Sequence, residues 1–299
     1  MVLKKKATIM KKKNFILLVL IALCLVVFFG YRAYDKARTD TTPPVIHISP
    51  EPLELSVNAP KGILLQDVTA EDDVSGDVTN SVVVENIRLM SRDGKISVGY
   101  AAFDSAGNVA KLQREVMYNN YIRPRFTLDG PLLYVSGKSF DVLNQIGAKD
   151  LVDGNITHHV RTMMTEDEPL SSVGTHMVQF QVTNSLGDTS TEIFPVEIYD
   201  SEEYNAELTL KEYLIYLPVG GIFNAKFYPD TFTFNRETTE LGAFLPEDYS
   251  LEIEGEVDTR TPGVYPVSYT LTYSEINERT KEVEEEYIGY SKLIVVVEG

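Results

Sequence analysis

Cysteine is nearly absent: the 299-residue chain holds one, Cys24, inside an apolar run, so no disulfide forms within the chain and no thiol nucleophile lies beyond that run. Histidine is scarce as well, at four residues. His158 and His159 are neighbours, and on a regular strand neighbours point to opposite faces, which keeps them from gripping one metal together. The sequence has no G-x-S-x-G elbow, no H-E-x-x-H helix and no P-loop, so the local signatures of hydrolases, zinc proteases and nucleotide hydrolysis are missing, and no enzyme is expected. Low-complexity tracts and long flexible linkers are lacking too. Beyond residue 34 no stretch keeps a helical period with caps, which leaves an all-β chain.

Acidic residues are missing from the first 34 positions, and there the opposite charge collects. That segment takes seven of the 27 Lys and Arg, so 20 basic residues face 44 acidic ones in the rest, a net charge of about −24. Such a field excludes nucleic acid as a partner and suits cation binding or plain solubility. Six lysines between Lys4 and Lys13 precede the unbroken apolar run Phe15 to Phe29. No pair of small residues marks a cleavage site after it, so the expectation is a retained signal anchor over 14–34 behind a cytoplasmic basic tail over 1–13. The chain is thus expected to be a type II single-pass protein of the cell membrane, with the bilayer as a partner through this helix. Everything beyond a linker over 35–41 is expected outside the cell.

The rest alternates with period two in short runs, such as Leu53-Leu55-Val57 and Ile96-Val98-Tyr100, each separated by turn residues. It also repeats. At a separation of 78, Asp72 to Thr79 (DDVSGDVT) falls on Asp150 to Thr157 (DLVDGNIT). At a separation of 80, Asp104-Ser105-Ala106-Gly107-Asn108 falls on Asn184-Ser185-Leu186-Gly187-Asp188. A unit of about eighty residues is too long for a solenoid repeat, so each copy reads as a domain. Thr261 to Leu271 echoes the Gly-opened strand at Gly174 and marks a third copy without the acidic turn. The expected domains are 42–118, 119–199 and a divergent 205–299.

The Asp40-Thr41-Thr42-Pro43-Pro44-Val45-Ile46 entry, the Asp73 to Thr79 turn, the Gly94-x-x-x-Val98-x-Tyr100 strand and the Asp104 to Asn108 hairpin together resemble the tandem bacterial immunoglobulin-like domains of cell-surface proteins. The resemblance is fullest over 40–118, weaker over 119–199 and partial over 205–299. It implies tandem Greek-key β-sandwiches after the N-terminal helix, displayed on a Gram-positive-type envelope for adhesion or spacing. The implied partner is a surface protein or a cell-wall glycan. The other open role is an accessory subunit of an envelope biosynthesis or secretion complex.

In that topology the acidic turn and the last hairpin lie at the end where the chain enters. Asp72, Asp73, Asp77 and Asp104 are therefore candidate ligands for calcium, which takes six to eight oxygens. Asp150, Asp153 and Asn155 would approach Asn184 and Asp188 in the second copy. The competing reading needs no metal: Gly76 and Gly154 supply positive φ, the Asp and Asn side chains bond nearby backbone donors, and Thr79 and Thr157 open the next strand. Tyrosines crowd the third domain, and Tyr265, Tyr269 and Tyr273 at even spacing share one strand face, where packing accounts for most of them.

Overall fold

The period-two runs become strands. In a computed structural model the residues described are 17–32, 34, 39–163, 170, 172–200, 203–242, 245, 248–277, 279 and 282–299. The chain divides into two compact units, Met1–Leu53 with Pro60–Ile87 and Ser97–Val116, and Glu54–Ala59 with Arg88–Ile96 and Met117–Gly299.

Seven strands come first: β1 (Val45–Ile48), β2 (Leu53–Leu55), β3 (Val68–Asp72), β4 (Gly76–Asp77), β5 (Val83–Leu89), β6 (Lys95–Phe103) and β7 (Val109–Tyr118). They form an antiparallel sheet β1-β3-β4 and a sheet β2-β7-β6-β5. Ile96 and the whole stretch Val98 to Ala102 of β6 are buried, and Val68 and Ala70 of β3 are buried in alternation with exposed neighbours. The Tyr100 hydroxyl, buried with its ring, donates to the Leu64 carbonyl at 2.6 Å. One consequence of the alternation matters for the site: the inward row of β3 runs Val68, Ala70 and then Asp72, so the strand ends with a carboxylate on its core side.

Seven equivalent strands follow within the second unit: β8 (Arg125–Leu128), β9 (Leu133–Val135), β10 (Ile146–Asp150), β11 (Gly154–Asn155), β12 (Arg161–Thr162), β13 (Gly174–Thr183) and β14 (Thr189–Tyr199). The sheets are β11-β10-β8 and β12-β13-β14-β9, packed face to face over Phe126, Ile146, Phe180 and Phe194. Phe126 meets the Phe194 ring edge-on at 5.7 Å between centroids.

Seven more strands follow: β15 (Ala206–Leu210), β16 (Leu214–Pro218), β17 (Pro229–Phe234), β18 (Glu237–Glu240), β19 (Tyr249–Glu254), β20 (Gly263–Ile276) and β21 (Val283–Glu298). They form one connected sheet, in which β21 pairs in parallel with β15 at one stretch and with β16 at another. Leu293, Val295 and Val297 face its own core, while Ile294 and Val296 on the other face join the core that holds Phe126, Phe180 and Phe194. The tyrosines pack as expected: the buried Tyr269 donates to the Ala225 carbonyl at 2.9 Å, and Tyr273 stacks on Phe234 at 4.7 Å.

Two expectations are corrected. Residues 17–32 are helical. Among the described residues no helix is long and apolar enough to cross a membrane, so the expected single-pass type II placement and the bilayer as partner find no support in the structure. The basic tail over 1–13, and parts of the expected anchor and linker, lie outside the described residues. His158 and His159 sit in the 3-10 turn Thr157–His159 rather than on a strand, so their rings lie on one side, 4.1 Å apart.

Candidate functional site

Asp72 closes the inward row of β3, and 8% of it is exposed. Its Oδ1 accepts from the N–H groups of Val74 at 3.1 Å and Ser75 at 2.7 Å, which bends the chain toward Gly76, whose φ of 73° no β-carbon obstructs. Its Oδ2 is buried and accepts from nothing. Asp40, on the entering segment, is in the same position. Its Oδ1 accepts from the Thr42 N–H at 2.9 Å, and its Oδ2 is buried without a partner. Asp73 is exposed beside them. One carboxylate oxygen from each of Asp40, Asp72 and Asp73 lies within 4.8 Å of the other two, and among the described residues this is the one such group of three or more metal-ligating side chains.

The structure thus brings Asp72 and Asp73 together, as the sequence suggested, and adds Asp40. Asp40 has a legible signal: it stands three residues ahead of Pro43-Pro44, whose fixed extended backbone leads the entering chain into β1.

Asp77 and Asp104 do other work. Asp77 Oδ1 accepts from the Thr79 N–H at 2.9 Å, and hydrogen bonds from Thr79 hold its carboxyl below the usual 3.8. Thr79 opens a 3-10 turn rather than a strand, and its hydroxyl oxygen accepts the Ala70 N–H at 3.1 Å. Asp104 takes the Asn108 N–H at 2.7 Å and the Asn108 side-chain amide at 2.6 Å. Burial pushes the Asp104 carboxyl up, but the bonds from Asn108, Gly107 and Ala106 outweigh it and hold the group below 3.8. The same Asn108 amide reaches the carbonyls of Asp40 at 3.1 Å and Thr42 at 3.2 Å, so the hairpin braces the entering segment. Ser75 and Ser105 hydroxyls, 2.6 Å apart, tie the turn to the hairpin.

The second copy has the same frame with different partners. Asp150 Oδ1 accepts from Val152 and Asp153 N–H groups at 2.8 and 3.0 Å. Asp150 Oδ2, equivalent to the unpartnered oxygen of Asp72, accepts from the Asn184 amide at 3.1 Å. Asp188 accepts from the Tyr121 hydroxyl at 2.8 Å and from Arg123 Nε at 3.4 Å. Asp153 is held by Ser185, and Asn155 Oδ1 accepts from the Thr157 N–H at 3.0 Å. Asp150 meets Asn184 as expected, whereas Asp188 is held by Tyr121 and Arg123 and Asn155 by its own turn, and each buried carboxylate finds a protein donor.

A cleft of about 560 Å3 in the second unit is lined by residues that include Arg92, Tyr121, Arg123, Arg125, Glu192 and Glu298. Arg125 pairs with Glu298 and lies 5.0 Å above the Tyr216 ring. Burial raises the Glu192 carboxyl, Arg123 opposes the shift and Glu298 adds to it. Both signs of charge line this cleft and largely answer each other.

No protein-family model matches the sequence, and no curated protein does either. Solved structures that align include the CBM51-2 and INT domains of Clostridium perfringens ZmpB in complex with GlcNAc, at 12% identity over 85% of this chain and 41% of that one, TM-score 0.21. The M60 catalytic domain with CBM51-1 and CBM51-2 of the same protein aligns at 12% identity over 87% and 43%, TM-score 0.24. The protocadherin GammaB4 extracellular domain aligns at 14% identity over 86% and 49%, TM-score 0.21. The chain spans less than half the length of each, and at these scores the likeness carries no argument about a ligand or a partner.

Proposed function

We propose that the chain is a non-catalytic spacing and binding protein of a Gram-positive-type cell surface, built on immunoglobulin-like Greek-key sandwiches, with a surface protein or cell-wall glycan as its partner. The surface setting rests on the sequence resemblance, fullest over 40–118. The spacing role is carried by one observation: Ile294 and Val296 of β21 lie in the same core as Phe126, Phe180 and Phe194. A spacer has to resist bending where its modules meet. Residues 119–199 and 205–299 share apolar side chains at their junction instead of a solvated linker, and separating them exposes those side chains to water.

Polar ties accompany the shared core. The Phe126 N–H donates to the Tyr216 hydroxyl at 2.9 Å, Arg125 pairs with Glu298, and the buried Lys292 pairs with Glu197. Calorimetric unfolding of the full chain tests the reading. Residues 117–299 are expected to melt in one transition, and Ile294→Ala to lower that whole transition by about 2–4 kcal/mol without splitting it. Separate melting of 119–199 and 205–299 would remove the spacing role, and hydrolysis of purified wall material by the chain would remove the non-catalytic one.

A further inference from the structure

We propose that Asp40, Asp72 and Asp73 together bind one calcium ion, with Asp104 and Asn108 positioning the segment that carries Asp40. Calcium binding at this place does not depend on the spacing role. Asp72 is only 8% exposed and its buried Oδ2 has no donor, and Asp40, in the same group of three carboxylates, also has a buried Oδ2 with none. Buried acceptors are nearly always satisfied, and two adjacent carboxylates cannot satisfy each other without a proton or a cation between them.

The second copy supplies an internal control. There the oxygen of Asp150 that corresponds to Asp72 Oδ2 takes a hydrogen bond from Asn184. The residue at that place in the first copy is Asp104, a carboxylate with no N–H to give. The donors to Asp188, Tyr121 and Arg123, correspond at a separation of 80 to Thr41 and Pro43, and Asn120 corresponds to Asp40. In the first copy Asn184 gives way to the carboxylate Asp104 and Asn120 to the carboxylate Asp40, Tyr121 gives way to Thr41, and the guanidinium of Arg123 is lost at Pro43, while Asp188 becomes Asn108. The missing positive charge is what a cation brings.

The class of ion follows from the ligands. All three are carboxylate oxygens, which suit a hard cation and leave out nitrogen or sulfur chemistry. Calcium accepts carboxylates, carbonyls and water in a flexible shell of six to eight oxygens, which a partly exposed turn can supply. Magnesium demands a near-ideal octahedron at 2.0–2.1 Å and gives up its waters reluctantly, so this flexible set of protein oxygens favours calcium. Water and backbone carbonyls complete the calcium shell on the side where Asp73 is exposed.

The test is calorimetric titration of the full chain, stripped with EDTA, with calcium chloride and separately with magnesium chloride at physiological ionic strength. One calcium is expected to bind, and the melting point of the first unit to rise with calcium concentration. Asp73→Asn, at an exposed position that leaves the fold intact, and Asp40→Asn are each expected to weaken calcium by about tenfold or more. Asp77→Asn and Asp153→Asn, whose carboxylates serve turns, are expected to leave the affinity unchanged. Absence of calcium binding, equal binding of magnesium, or an Asp73→Asn protein that binds as tightly as the parent would each overturn the assignment.

Discussion

Among the exchanges between the two copies of the acidic turn and its hairpin, Asp104 in the first stands where Asn184 stands in the second. Asn184 donates both to Asp150 and to the Tyr121 hydroxyl, and it is 5% exposed against 7% for Asp150. Asn184→Asp keeps the shape and removes the donor, so two buried carboxylates would face each other. Urea denaturation at neutral pH is expected to show a loss of about 1–3 kcal/mol in the second unit, shrinking in acid as the pair takes up a proton. The acidic residues of both turns were legible as a repeated motif, and so was the need for positive φ at Gly76 and Gly154, observed at 73° and 74°. Which carboxylate lacks a donor was not legible. That depends on pairs 32 to 34 residues apart, such as Asp72 with Asp104 and Asp150 with Asn184, and on the burial of one oxygen rather than of a residue.

At the scale of elements, β21 decides how the second unit is built. Its segment Ser291 to Val297 is buried throughout, because alternate residues serve two cores. The unbroken run Leu293-Ile294-Val295-Val296-Val297 is the sequence signal for a strand covered on both faces, in contrast to the polar alternation of β19. Sequence periodicity identifies such a strand and leaves its second neighbour open. Here the neighbour is fixed partly by Tyr216 of β16, whose hydroxyl accepts the Phe126 N–H and whose ring, pushed well above its ordinary acidity range by burial, stays neutral. Tyr216→Phe leaves that N–H without an acceptor in a dry setting. The expected cost is about 1–3 kcal/mol, seen as a lower urea midpoint for the whole second unit, with faster amide exchange at Phe126.

For the molecule as a whole, acid and alkali should each unfold it by a different set of groups. Hydrogen bonds from Thr79 and Ser91 lower the carboxyls of Asp77 and Asp93, those of Thr261 lower Asp258, and those of Asn108 overcome burial at Asp104. A folded value below the unfolded 3.8 means a contribution that is full above 3.8 and is lost as pH falls through the folded value. Burial raises Tyr100, Tyr216, Tyr269 and Tyr290 above their ordinary 10.0. The neutral ring is the buried form, so that contribution is full below pH 10 and is lost as pH rises from there toward the folded values. A melting-temperature profile is therefore expected to be flat between about pH 5 and 9 and to fall on both sides. A steady slope across neutrality would contradict these assignments. The sequence by itself determined the all-β class, the repeat of about eighty residues and the places of the turns, because strand alternation, positive-φ glycines and Asx turns are set by residues close together in the chain. Only the tertiary structure decided that Asp40 joins Asp72 and Asp73, that Asp77 and Asp104 do not, and that β21 serves two cores. Each of these depends on side chains brought together from distant positions, and burial of a particular atom is a property of that assembly.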